Sequence, residues 1–187
     1  MKYKIKNTKT TVRVIGIYQI VGGIIGIGII ALLMLKTPEI NGPFLFYITL
    51  ALFLFAFSIQ SGNLLLQESK LNKGLIFSLI LQGLQIVSIG LGSYSYGFYS
   101  GANVTFGFES GGDFKFGFGV VSSGFNIKIN SGESEYFFKL NFLAIFILYI
   151  LIDIYKERKK INLEPTSSNY DDPGLLDENV TSSVLNK

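Results

Sequence analysis

Ser78, Gln82 and Gln85 stand at i, i+4 and i+7 in an apolar run without charge, a spacing that puts all three on one face of a helix. Gln60, Asn63 and Gln67 repeat the pattern at i, i+3 and i+7 in a second run, and Gln19 lies at similar depth in a third. Amides and hydroxyls so placed either hydrogen-bond between packed helices or line a path for a polar solute. No ionisable residue falls near the middle of these runs, which argues against a proton-coupled pump. Other chemistry is narrowed by absence: the 187 residues contain no Cys, no His and no Trp. A thiol nucleophile, a Ser/His/Asp triad, a disulfide framework and the usual zinc, haem and iron–sulfur ligand sets are therefore excluded. The 13 acidic residues sit mostly in loops and tails, with no pair at the spacing that acid/base chemistry needs. Asp153 stands one turn before Lys156, and an ion pair at a helix end explains it. The sequence thus offers no catalytic residue, no cofactor site and no metal site, and it reads as a non-enzyme.

The elements that must position those polar residues are apolar and long. Charged residues make up only 16%, against roughly 25% in an ordinary soluble domain, and 49% are hydrophobic, gathered in unbroken runs. A helix needs about 20 residues to cross a hydrocarbon core of about 30 Å, and four segments satisfy that: 14–35, 44–66, 74–92 and 136–155. The first lacks a small-x-small cleavage site after its apolar run and is read as a retained helix, not a signal peptide. Its Gly22 and Gly26, with Gly16 and Gly23, form small-residue stripes that let helices approach closely, within one bundle or between copies. Basic residues orient the chain. Lys2, Lys4, Lys6, Lys9 and Arg13, then Lys70 and Lys73, then Lys156, Arg158, Lys159 and Lys160 fall on one side, against Lys36, Lys115, Lys128 and Lys139 on the other. The excess marks the cytoplasmic side, so both termini are expected inside and residues 93–135 outside a cytoplasmic (plasma) membrane.

That outward segment carries a ten-residue repeat: SYSYGFYSGA from Ser93, NVTFGFESGG from Asn103 and DFKFGFGVVS from Asp113, with a fourth, later copy from Phe125. Aromatics alternate with small or polar residues and each copy closes in Ser or Gly, the pattern of short strands joined by tight turns. The expectation is a four-stranded antiparallel β-meander, too short-stranded for an outer-membrane barrel. One face would carry Tyr94, Tyr96, Phe98, Phe106, Phe108, Phe114, Phe116 and Phe118, the other Ser, Gly, Thr and the charges. A single sheet cannot hide such a face by itself. It must fold onto the outer ends of its own helices and the lipid interface, or pack on a second copy or another partner.

From Asn162 the composition turns to Pro, Ser, Asn, Asp and Glu, as in a disordered acidic tail. The organisation expected is a basic cytoplasmic N-terminus (1–13), three helices within 14–92, an extracytoplasmic β-repeat module (93–135), a fourth helix (136–155), and a basic collar with its tail (156–187). The fold class is an α-helical integral membrane protein: four transmembrane helices with a small antiparallel β-meander inserted between helices 3 and 4. Its expected partners are the lipid bilayer and itself (a homo-oligomer) or another membrane protein, with no nucleic acid. Two functions fit: a non-catalytic interaction or assembly subunit using the aromatic sheet, or a small oligomeric channel or transporter subunit. The second would use a polar path of Gln19, Gln60, Asn63, Ser78, Gln82 and Gln85.

Overall fold

A computed structural model describes residues 8–37, 41–110, 114–128 and 135–163. Lys2, Lys4, Lys6 and the acidic tail lie outside the described residues. The first helix, α1 (Thr8–Lys36), and the second, α2 (Gly42–Leu66), pack side by side along most of their length. Asn41 caps α2 by accepting a 2.9 Å bond from the Phe44 amide, and Pro43 fits the first turn, where its missing N–H costs nothing. Small residues set the separation of the two helices. A Cβ on Gly62 would lie 2.4 Å from the Gly16 carbonyl oxygen, and one on Gly23 would lie 2.7 Å from that of Phe55, so only glycine permits this approach. A single 3-10 turn, Glu68–Lys70, leads into α3 (Leu71–Ile86). Glu68 pairs with Lys9 at this end, and the Lys9 ammonium holds its carboxyl below the usual range.

Helix α3 stops after 16 residues and the chain continues without a break as strand β1 (Val87–Gly92). Then follow β2 (Tyr94–Tyr99), β3 (Asn103–Ser110), β4 (Phe114–Val121), β5 (Gly124–Lys128) and β6 (Glu135–Asn141). Strand β6 runs directly into α4 (Phe142–Leu163), whose first turn is capped by Asn141 Oδ1 accepting from the Leu143 and Ala144 amides at 3.2 Å. The helical stretch from Lys156, described to residue 163, belongs to a unit separate from the rest of the chain.

The expectation of four helical spans is thereby revised. Among the described helices, α1 and α2 are long and apolar enough to cross a membrane, while the expected third and fourth spans each divide between helix and strand, with six residues of strand in each. Residues 87–92 and 136–141 read as ends of helices because a short apolar run carries no periodicity that separates a buried helix from a buried strand. Among the described residues the β module therefore spans 87–141, not 93–135, with six strands where four were expected.

Nor is it a meander. All neighbours pair antiparallel in the order β4-β3-β6-β1-β2-β5. The two strands grown from helices, β1 and β6, form the centre, and β4 and β5 are the edges. Residues 122–123 connect those edges, a link that reaches at most about 11 Å, whereas a flat six-stranded sheet is about 24 Å across. The sheet must curl. Residues 100–102 likewise carry the chain from β2 past β1 and β6 to β3, with Gly101 at φ +94°, a conformation that favours glycine. The Ser-Gly that closes the first repeat is therefore a crossover and not a hairpin turn.

Two apolar clusters hold the helices. One joins Val12, Ile15, Leu65 and Leu75 to Ile147, Leu151 and Ile154 of α4; the other joins Ile30, Ile48, Ala51, Phe55 and Leu81 to Phe98 of β2. Between them lies a layer of polar side chains.

Candidate functional site

That layer is built by single residues from each element. Ser58 of α2 donates to the Gln19 carbonyl of α1 at 2.9 Å; its one proton is then spent, so Ser100, 2.7 Å away, donates to it. Ser78 of α3 donates to Gln19 Oε1 at 3.0 Å and accepts from Ser61 of α2 at 2.9 Å by the same reasoning. Gln85 Oε1 accepts the Ser100 amide at 3.0 Å, and Ser123 accepts the Gly101 amide at 2.8 Å while donating to the Gly22 carbonyl at 2.7 Å. The crossovers at the lower lip of the sheet are thus stitched to the middle of α1. A Cβ on Gly22 would lie 2.4 Å from the Gly101 nitrogen, so backbone meets backbone there.

Gln19, Gln82 and Gln85 are completely or almost completely buried. The Nε2 atoms of all three, and Oε1 of Gln82, have no protein hydrogen-bond partner. Burying such groups unsatisfied is costly, which makes this layer the part of the interior with spare capacity to bind a polar atom. Its groups are neutral donors and acceptors. They can hold or pass a polar molecule. Among the described residues, no three acidic side chains gather as a metal-binding group.

Above the layer, the two faces of the sheet differ sharply. Register places Ile89 beside Tyr96 and Phe138, Leu91 beside Tyr94 and Tyr136, Phe106 beside Leu140 and Phe118, and Phe98 beside Phe125. The aromatic alternation does put these residues on one face, yet only part of that face is covered. Phe98 is fully buried against Phe55 (ring centroids 5.5 Å), and Phe125 packs on Tyr47 at 5.1 Å, with the Tyr47 hydroxyl donating to the Phe125 carbonyl. Phe106 and Phe116 stack on each other at 6.4 Å and are 48% and 70% exposed; Leu91, Tyr94 and Tyr136 are exposed as well. The buried face is the polar one: Ser88, Ser95, Asn103, Thr105 and Asn141 are all at or below 6% exposure. Ser88 bonds the Tyr99 hydroxyl, and Lys139 pairs with Glu109 on this same face. The sheet buries mostly small polar side chains on this face, with Tyr99 and Phe137 beside them, and leaves Leu91, Tyr94, Phe106, Phe116 and Tyr136 exposed on the other.

Of the expected polar cluster, Gln19, Ser78, Gln82 and Gln85 lie in the layer. Gln60 and Asn63 do not: both are exposed, on the side of α2 away from Ser58 and Ser61. Their i, i+3 spacing was a genuine helical face, but it was the wrong face of α2. Of the expected aromatic face, Tyr96 and Phe108 are half-buried, and the side chains of Phe114 and Phe118 lie outside the described residues. The contributors that spacing did not single out are Ser58, Ser61, Ser100 and Ser123. Ser58 and Ser61 lie in the same apolar run as Gln60 and Asn63, on another face of its helix, and Ser100 belongs to the Ser-Gly that reads as turn chemistry. Lys139, expected near the end of a span, faces the sheet interior. Asn103 opens a glycosylation sequon with Thr105 but is wholly buried. No protein-family model, curated protein or solved structure matches the chain.

Proposed function

We propose that this chain is a multi-pass membrane protein acting as a non-catalytic interaction or assembly subunit. The observation that carries the reading is the β4 edge beside Phe106 and Phe116. Among the described residues this eight-residue strand pairs with β3 alone, and the stacked rings of Phe106 and Phe116 next to it are exposed. An open edge flanked by apolar side chains accepts a partner strand, and inside a bilayer an uncovered edge is not tolerated. Either a second copy or another membrane protein would meet this edge. In mild detergent, Phe106→Asp with Phe116→Asp should disperse complexes while leaving insertion intact; complexes of unchanged size would count against the reading.

A second reading is favoured by the buried amides of Gln19, Gln82 and Gln85, whose spare donors and acceptor suit a small polar solute crossing between helices and sheet. Gln82→Leu should then abolish flux in reconstituted vesicles. Wild-type vesicles that pass neither ions nor small solutes would sink it.

A further inference from the structure

We infer that the sheet is itself membrane-embedded: α3 with β1, and β6 with α4, are composite spans, and the outer face of β1, β2 and β6 packs against lipid acyl chains in the outer half of the bilayer. This rests on the membrane reading above and adds the partner of a face that reading leaves unassigned.

The depth of the sheet is fixed by its contacts with α1. Its lower lip meets Tyr18 and Gly22, with the Tyr18 hydroxyl donating to the Ala102 carbonyl and Ser123 to that of Gly22. Helix α1 then runs on to Lys36, about 21 Å further at 1.5 Å per residue. Over that stretch Ile30 packs in one cluster with Phe98, while Ile24, Ile25, Ile29, Leu32 and Leu33 stay exposed. The sheet therefore lies beside the outer half of α1 and not above its end. If α1 crosses a bilayer, the strands stand at acyl-chain depth.

Length gives the same answer. The 16 residues of α3 make about 24 Å and the six of β1 about 20 Å, so the pair reaches across a core of about 30 Å that α3 alone does not fill. Exposed apolar residues also lie on both sides of each junction: Ile76, Ile80 and Leu84 on α3 with Leu91 on β1, and Tyr149, Phe146 and Phe142 on α4 with Tyr136 on β6. Tyr94 and Tyr136, at the far end of the strands, sit where an aromatic belt meets headgroups.

Charge is segregated in the same sense. Among the described strands, Glu109, Lys128 and Lys139 share the register of the polar face, and no charged residue falls on the aromatic one. A water-facing sheet gains by hiding Leu91 and Tyr136; this one leaves them 61% and 52% exposed. Polar within and apolar without is the arrangement of a strand assembly solvated by lipid. Between β1, β2 and β5 lies an open groove of about 240 Å³, walled by Ile89, Leu91, Tyr94, Tyr96 and Ile127, with Ser95 and Lys128 also lining it.

Because the chain has no cysteine, single thiols can be placed and labelled at will. Leu91→Cys, Tyr136→Cys, Ile24→Cys and Glu68→Cys variants, each carrying a bimane label, would be reconstituted into phosphatidylcholine vesicles brominated on the acyl chains. Fluorescence loss at Leu91→Cys and Tyr136→Cys should match that at Ile24→Cys, with none at Glu68→Cys. Quenching at Ile24→Cys alone overturns the composite spans and leaves the membrane reading standing, whether the two sheet labels prove open to water or covered by a second copy. No quenching at Ile24→Cys overturns both. Independently of any substitution, photoactivatable acyl-chain lipids should mark the wild-type chain within 87–99 and 136–142; adducts confined to α1 and α2 would refute the inference.

Discussion

The α1–α2 pair and the curled sheet both turn polar atoms inward and apolar side chains outward, by different geometry. In the helices the polar stripe is narrow, because a 3.6-residue period brings only every third or fourth side chain to one face: Gln19 on α1, Ser58 and Ser61 on α2, Ser78, Gln82 and Gln85 on α3. In the sheet every second residue shares a face, so Ser88, Ser95, Asn103, Thr105 and Asn141 give the buried face polar groups on five positions of four strands. Helices can meet through such a stripe only if their backbones come close, which Gly16, Gly23 and Gly62 permit. The sheet satisfies its backbone in its own ladder and meets the helices along its lower lip, at Phe98 and Phe125, and through Tyr96, which donates to the Leu84 carbonyl. The seam between the two regions is thus small and specific, and substitutions there test whether they are one folding unit.

Phe55→Ala should have the largest effect. The ring is buried and touches Phe98 across the seam, so its loss should cost about 3–5 kcal/mol in detergent unfolding. If the sheet stays folded while the helices loosen, the regions are independent. Gly22→Leu should cost about 3 kcal/mol or more, since the new side chain collides with the backbone of Ser100 and Gly101. Gly28→Leu on the same helix meets open space and should be neutral or stabilising by up to about 1 kcal/mol. Equal losses at the two positions would remove the seam from the account. Ser58→Ala deletes a hydroxyl bonded to both α1 and the crossover, leaving Gln19 and Ser100 short of a partner, and should lower stability by about 1–3 kcal/mol in the same assay. The smallest effect belongs to Lys9→Ala, at the helix end farthest from the sheet. Because Lys9 lowers the Glu68 pKa, their interaction is present above the unfolded carboxylate pKa and fades as pH falls through the lower folded one. Both side chains are exposed, so the Tm of wild type and variant should differ barely at pH 7 and converge in acid.

Particular residues show how far the sequence could be read. Strands β2 to β5 fall where the ten-residue repeat put them, because alternation with Gly or Ser punctuation is a local property. β1 and β6 were hidden inside apolar runs, and their strand character comes from pairing with each other across more than forty intervening residues. The polar layer was half legible: Ser78, Gln82 and Gln85 share one face of α3 on any packing, but the choice between the Ser58–Ser61 face and the Gln60–Asn63 face of α2 depends on which side meets α1.

The sequence by itself determined the residue types that chemistry can use, the apolar lengths of α1 and α2, the alternation that sorts aromatics from small polar residues, and the positions of four strands. These follow from composition and short-range periodicity, which need no partner. Only the tertiary structure decided where helix gives way to strand, which strands are neighbours, which face of the sheet is buried, and that Ser100 and Ser123 join the sheet to α1. Each of those is set by contacts between residues far apart in the chain, and a period of 2 or 3.6 names a face without saying what that face will touch.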